Sequence, residues 1–180
     1  MLPLAALAAE VGGAKLDDRV RIAPDTPQLV LNGAGVRTRF LFKVYVAGLY
    51  LQEKAHGAAE ALALNGPKRV ILTMLRDLSA QQFIDALNEG FAANNPPADR
   101  EQYKPQLAAL TAIMASLEET KKGDVIALDF VPGSGTRVVV NSAQRGEPIA
   151  GDGFYRALLK VWLGDAPVDA DLKKGLLGER

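Results

Sequence analysis

The sequence predicts an α+β fold, a mainly antiparallel sheet covered by helices. Three observations lead there. Strand-type runs come first, then helical runs, then two more strands and further helices, without the regular strand–helix alternation of a parallel sheet. Pro132-Gly133-Ser134-Gly135 lies between two strand-type runs and reads as a hairpin turn. A hydrophobic content of 48% and a charged content of 23% over 180 residues suffice for one core and one domain.

Taken in order, residues 1–9 are Ala-rich and apolar, and Ala6-Leu7-Ala8 has the small-x-small pattern of a signal-peptidase site. They read as the remnant of an export signal or a disordered terminus, so a periplasmic or otherwise exported location is expected. Residues 10–180 are expected to form the single domain. Residues 11–27 read as loop with a short strand at Arg19–Ile22. Asn32-Gly33-Ala34-Gly35 reads as a tight turn or bulge. Val36–Gln52 then forms one long strand, free of breakers until Gly48. Its even positions, Phe40, Phe42, Val44, Val46 and Tyr50, give an apolar core face. Its odd positions, among them Arg37, Arg39, Lys43, Tyr45 and Leu49, give a mixed face suited to line a cleft.

A short helix is expected over residues 55–64, with His56 exposed at its start and Asn65-Gly66-Pro67 as its stop. Lys68–Arg76 is a strand with Val70, Leu72 and Met74 on one face. Ser79–Ala92 is a helix with the capping box Ser79-Ala-Gln-Gln82 and an apolar stripe of Phe83, Ile84, Leu87 and Phe91. A helix opening near Pro105 carries Leu107, Leu110, Met114 and Leu117 and is expected to end at Lys121-Lys122-Gly123. Asp124–Val131 and Thr136–Asn141 form the hairpin. Asp152 is expected to cap a largely buried helix over Gly153–Leu163, and a last helix starts near Asp169.

Composition narrows the chemistry. Lys plus Arg and Asp plus Glu both number 21, so there is no basic excess for nucleic acid. Without cysteine, and with His56 as the one histidine, there is no disulfide, thiolate or multi-histidine metal site, and no cofactor or metal is expected. No run of about 18 apolar residues predicts a transmembrane helix. Arg37 stands out: a buried guanidinium needs an anion or several hydrogen bonds. Tyr45 shares its face, but about 27 Å of straight strand would separate the two. Either they meet around a ligand through a bent strand, or Arg37 pairs with a carboxylate such as Asp85 or Glu89.

Asn32-Gly-Ala-Gly-Val-Arg37, followed by Lys43-Val-Tyr-Val-Ala-Gly-Leu-Tyr50, resembles the chalcone isomerase family, and its bacterial, often exported group more than the plant enzymes. Lys68–Met74, Leu78–Phe83, the 124–141 hairpin and Trp162-Leu163-Gly164 extend the resemblance over residues 28–176. It implies an open-faced β-sandwich, a large antiparallel sheet covered by helices on one face, with a ligand cleft between. It also implies roles. Arg37 stands where the family's enzymes keep a substrate-guiding arginine. Their strand threonine falls at Tyr45, their helix tyrosine at Phe83, their helix asparagine at Gly90 and a late Ser or Thr near Tyr155. With one donor of that set kept, the resemblance points to the family's non-catalytic branch. On that branch Arg37 and Tyr45 hold the carboxylate of a fatty acid, or another small apolar carboxylate. Phe83 and Leu87 line the acyl chain, and Tyr155 adds a hydroxyl. One alternative is a chalcone isomerase-type lyase with Arg37 as electrophile and Tyr45 or Tyr155 as proton donor. Another is a structural envelope protein without ligand, in which Arg37 is simply ion-paired.

Overall fold

The computed structural model describes residues 8–179. The first seven residues of the expected leader lie outside it, and Ala8 and Ala9 belong to the first strand. In chain order, the strands are β1 (Ala8–Val11), β2 (Ala14–Asp17), β3 (Arg19–Val20), β4 (Leu29–Arg39) and β5 (Phe42–Leu51). Helix α1 (Ala58–Ala63), β6 (Lys68–Met74), β7 (Leu78–Ser79), α2 (Ala80–Asn94), α3 (Pro97–Gln102) and α4 (Lys104–Ala115) follow. The chain ends with β8 (Glu119–Thr120), β9 (Val125–Val131), β10 (Gly135–Val140), β11 (Ala143–Ile149), α5 (Asp152–Leu163) and α6 (Ala170–Leu176).

Seven strands form one antiparallel sheet in the order β11-β10-β9-β6-β5-β4-β3. Alternation along the strands puts Tyr45, Ala47, Leu49 and Leu51, Val70, Leu72 and Met74, and Ile126, Leu128 and Phe130 into one core. The apolar stripes of α2, α4, α5 and α6 cover that core through Phe83, Leu87, Phe91, Leu110, Met114, Phe154, Trp162 and Leu172. The fold is therefore the expected α+β one, a large antiparallel sheet with helices on one face. A second, smaller core on the opposite face packs Val46 of β5 against Ala14 and Leu16 of the β1–β2 hairpin. That hairpin replaces much of the loop expected over 11–27. Among the described residues, no helix is long and apolar enough to cross a membrane.

The main departure from expectation is at Val36–Gln52. This stretch is not one strand. It belongs to two, joined at Phe40-Leu41, with Arg39 paired to Phe42. Phe40 takes a left-handed φ of 55°, which an aromatic residue seldom adopts. No Gly, Asn or Pro marks the turn, so nothing in residue type announced it. Both faces of β5 are buried: Val44, Val46 and Tyr50 are buried as expected, but the other face is core as well and the tip is not. Tyr45, Ala47 and Leu49 lie in the main core, while Phe40 and Phe42 are exposed.

Asn32–Gly35 is a bulge inside β4, with a register shift between Leu31 and Gly33, and not a turn. Its glycines admit α6: a Cβ on Gly33 would lie 2.1 Å from the Gly175 carbonyl oxygen. Asn32, buried, donates to the Leu176 carbonyl at 2.8 Å and accepts from the Ala55 amide at 2.7 Å. The helix at Pro105 ends at Ala115, short of the lysines. Lys121-Lys122-Gly123 instead forms a turn in which the Lys121 amide donates to the Asp124 carboxylate at 2.8 Å. Gly151, not Asp152, caps α5, and the Asp152 carboxylate accepts from the Gly133 amide at 3.4 Å.

Candidate functional site

The β4–β5 hairpin brings together what a straight strand would have held apart. Arg37 pairs directly with Tyr45 in the register, and side chains of directly paired residues share a face. The Arg37 guanidinium carbon lies 5.6 Å from the centre of the Tyr45 ring, over its face. Tyr45 is buried, and its hydroxyl accepts a 3.0 Å hydrogen bond from Nε1 of Trp162 on α5. A buried indole N–H needs such a partner, and the phenol supplies it.

Two buried donors are left over. Arg37 Nε is buried without an acceptor among the described residues. The Tyr45 hydroxyl accepts from Trp162, and its own proton has no acceptor among them. Burial raises the Tyr45 pKa. The nearby Arg37 charge and the hydrogen bond from Trp162 offset that rise only in part. The phenol therefore keeps its proton at neutral pH and remains a donor. Neither ion pair among the described residues, Arg69–Asp129 and Lys121–Glu119, involves Arg37. The alternative pairing of Arg37 with Asp85 or Glu89, both exposed, is therefore not formed.

Around this pair, Phe83, Ala86 and Leu87 of α2, Val161 and Trp162 of α5, and Val168 enclose an apolar cavity of only about 10 Å³. That is about the room one water needs, and no acyl chain fits there as it stands. Arg37 also lines the floor of a larger cleft of about 460 Å³, between the hairpin tip and the N-terminal half of α2. Phe40, Phe42, Val44, Leu78 and Ala86 give that cleft apolar surface, and Arg39, Arg76, Asp85 and Glu89 give it charge. Its size is within the range of small-molecule sites, about 300–1,000 Å³.

Four of the five residues singled out from sequence, Arg37, Tyr45, Phe83 and Leu87, therefore meet around one point. Tyr155 does not join them. Its hydroxyl donates to the Leu128 carbonyl at 2.7 Å, and its ring stacks on Phe130 at 5.3 Å, so it serves the sheet–helix core. Trp162 and Ala86 were not foreseen. The signal for Trp162 was its N–H, which in a buried helix had to find an acceptor. Among the described residues no cluster of His, Cys, Asp and Glu could hold a metal ion.

The helix-covered antiparallel sheet agrees with the comparisons with known proteins. A family model described as chalcone isomerase-like matches residues 8–178. The chain belongs to the chalcone isomerase-like family. No curated protein matches its sequence. Among solved structures, it is similar to a fatty-acid binding protein of Arabidopsis thaliana, with a TM-score of 0.66 and 16% identity over 92% of each chain. At that identity the likeness establishes the fold.

Proposed function

We propose that the protein binds a small apolar carboxylate, such as a fatty acid, without chemistry. The carboxylate sits at Arg37 and Tyr45, and the acyl chain lies in the cleft between the hairpin and α2. The observation that carries this reading is the pair of buried donors on paired residues, Arg37 Nε and the Tyr45 hydroxyl, neither with an acceptor among the described residues. A carboxylate supplies acceptors for both, in a dry site where charge-assisted bonds are strong. The structural relative from Arabidopsis thaliana is a fatty-acid binding protein, which points the same way. The bacterial, exported branch of the family remains the reading that the sequence favours.

The isomerase alternative keeps Arg37 and Tyr45, but not the helix tyrosine and asparagine that the resemblance assigns to the family's enzymes. Phe83 has no hydroxyl. At Gly90, a Cβ would already lie 2.9 Å from a Val161 methyl and 3.2 Å from one of Val168, so an amide side chain enters only if these side chains give way. The purely structural alternative required an ion-paired Arg37, and no such pair is made among the described residues.

The test is titration of delipidated protein with palmitate by calorimetry. Micromolar binding is expected. Arg37→Gln should weaken it about 10- to 100-fold, the worth of one hydrogen bond to a charged group. Tyr45→Phe should weaken it less, since it removes a neutral donor. No heat at tens of micromolar, or an unchanged affinity in Arg37→Gln, would remove the proposal.

A further inference from the structure

The hairpin that carries Arg37 ends in an unusual way. Phe40 is 85% exposed, Leu41 94% and Phe42 57%, and these are the exposed large hydrophobic residues among those described. Isolated exposed apolar residues need no explanation, but three in a row at a projecting tip do. The tip also goes against its own turn chemistry. Phe40 holds a φ of 55°, where Gly or Asn would be at ease. A local rule broken without a structural return points to a use for the side chain.

The surroundings state what kind of use. Residues 37–43 read Arg-Thr-Arg-Phe-Leu-Phe-Lys, with three cations and no anion. Arg76 joins them, its guanidinium 4.5 Å from the Phe42 ring centre, and Arg39 lies 5.7 Å from that of Phe40. The acidic residues of the adjoining cleft, Asp77, Asp85 and Glu89, come from α2 and the loop before it, not from the hairpin. The tip stands clear of the sheet, because β5 pairs with β6 only from Tyr45 onward. An apolar point inside a collar of cations is complementary to one surface: an anionic headgroup layer over hydrocarbon.

We infer that the Phe40-Leu41-Phe42 tip docks the protein onto anionic lipid surfaces. Its aromatic and aliphatic side chains enter the interface, and Arg39, Lys43 and Arg76 lie among the headgroups. The 460 Å³ cleft, lined by Phe40 and Phe42, then opens at the membrane. The inference rests on the tip alone and stands whether or not the cleft takes a fatty acid.

The experiment is co-sedimentation of the full chain with phosphatidylcholine vesicles, with and without about 30% phosphatidylglycerol. Binding to the anionic vesicles is expected, falling steeply with salt, with little binding to pure phosphatidylcholine. Leu41→Asp should reduce it about tenfold or more, and Lys43→Glu by a smaller factor, with thermal stability unchanged since both positions are exposed. Leu41→Trp should give an indole emission that moves to the blue on vesicle addition, against a background from Trp162, which is already buried. No sedimentation with anionic vesicles at low salt, or equal sedimentation of Leu41→Asp, overturns the inference. So does a lipid-free dimer that Leu41→Asp dissolves, which would make a second copy of the chain the occupant. Palmitate binding by Leu41→Asp in solution keeps this outcome separate from that of the ligand reading, because Leu41 does not line the cleft.

Discussion

Arg37 was legible as a candidate because a guanidinium in an apolar run has few bland explanations. Its partnership with Tyr45 was legible only as a shared face, because the turn between them carries no turn residue. Other buried polar groups bear on stability instead of binding. Lys68 is buried, its ammonium donates to the Leu64 carbonyl and lies 5.4 Å from the Phe130 ring centre. Burial pushes its pKa down to about 8 from the ordinary 10.5, and the Arg156 charge adds to the effect. Burial acts in the opposite direction on phenols. It pushes Tyr50 up to about 12, helped by the Asp17 carboxylate, and it raises Tyr45 and Tyr155 as well. The signs follow from proton counts. Between pH 8 and 10.5 the unfolded chain holds a proton that folded Lys68 has released, so stability rises with pH. Above pH 10 the folded tyrosines hold protons that the unfolded chain has lost, so stability falls. Urea denaturation across this range should show a maximum near pH 10. Lys68→Met should abolish the rise and keep the fall. A monotonic profile in the wild type would contradict these assignments.

At the scale of elements, the well-read pieces were those with strong local grammar. The capping box at Ser79 is formed as expected, with the Gln82 amide donating to Ser79 Oγ at 3.1 Å and the Gln82 side chain accepting from the Ser79 amide. What was missed follows tertiary demands. β11 escaped notice because its residues, Ala143-Gln-Arg-Gly-Glu-Pro-Ile149, are mostly polar, as suits an exposed edge strand with a proline. It is reached through Asn141-Ser142, both at positive φ, a tight two-residue turn. The glycines of β4 read as a tight turn or bulge, and the bulge is formed, but their reason is not local: their partner, α6, lies more than a hundred residues on. That contact can be tested. Gly33→Ala would place a methyl 2.1 Å from the Gly175 carbonyl and 2.6 Å from that of Leu176, both backbone atoms that cannot swing aside. The expected loss is about 1–3 kcal/mol or more, as for overpacked cores, read by urea denaturation. Gly57→Ser is the control. A Cβ there meets nothing within 4 Å, and a serine could cap α1. Equal stability of Gly33→Ala and wild type would show that α6 yields more readily than its backbone contacts imply.

For the whole molecule, the order of strands and helices was enough to give the class, because layers follow from which faces are apolar. It was not enough to give the depth of the site. Stripes on α2 and α5 look the same whether they line a cavity or fill it, and here Phe83, Leu87 and Trp162 leave only about 10 Å³ beside Tyr45. The layers thus meet closely beside Tyr45 and part at the β4–β5 end of the sheet, where the 460 Å³ cleft lies, and again between α4 and β11 at its other edge. This geometry limits how a carboxylate's chain contributes. Each methylene buried in the cleft adds about 0.8 kcal/mol, roughly a fourfold gain in affinity. Methylenes beyond the cleft remain in water and add nothing. Calorimetry with a series of saturated carboxylates from short to long chains should therefore show affinity climbing and then levelling. Phe83→Ala enlarges the small cavity, which shares Arg37 and Ala86 with the cleft, and should move the levelling point to longer chains, with a loss of about 3–5 kcal/mol in folding stability. A series without chain-length dependence would place the ligand outside the cleft. A rise that never levels would mean that the helices part from the sheet to admit the chain.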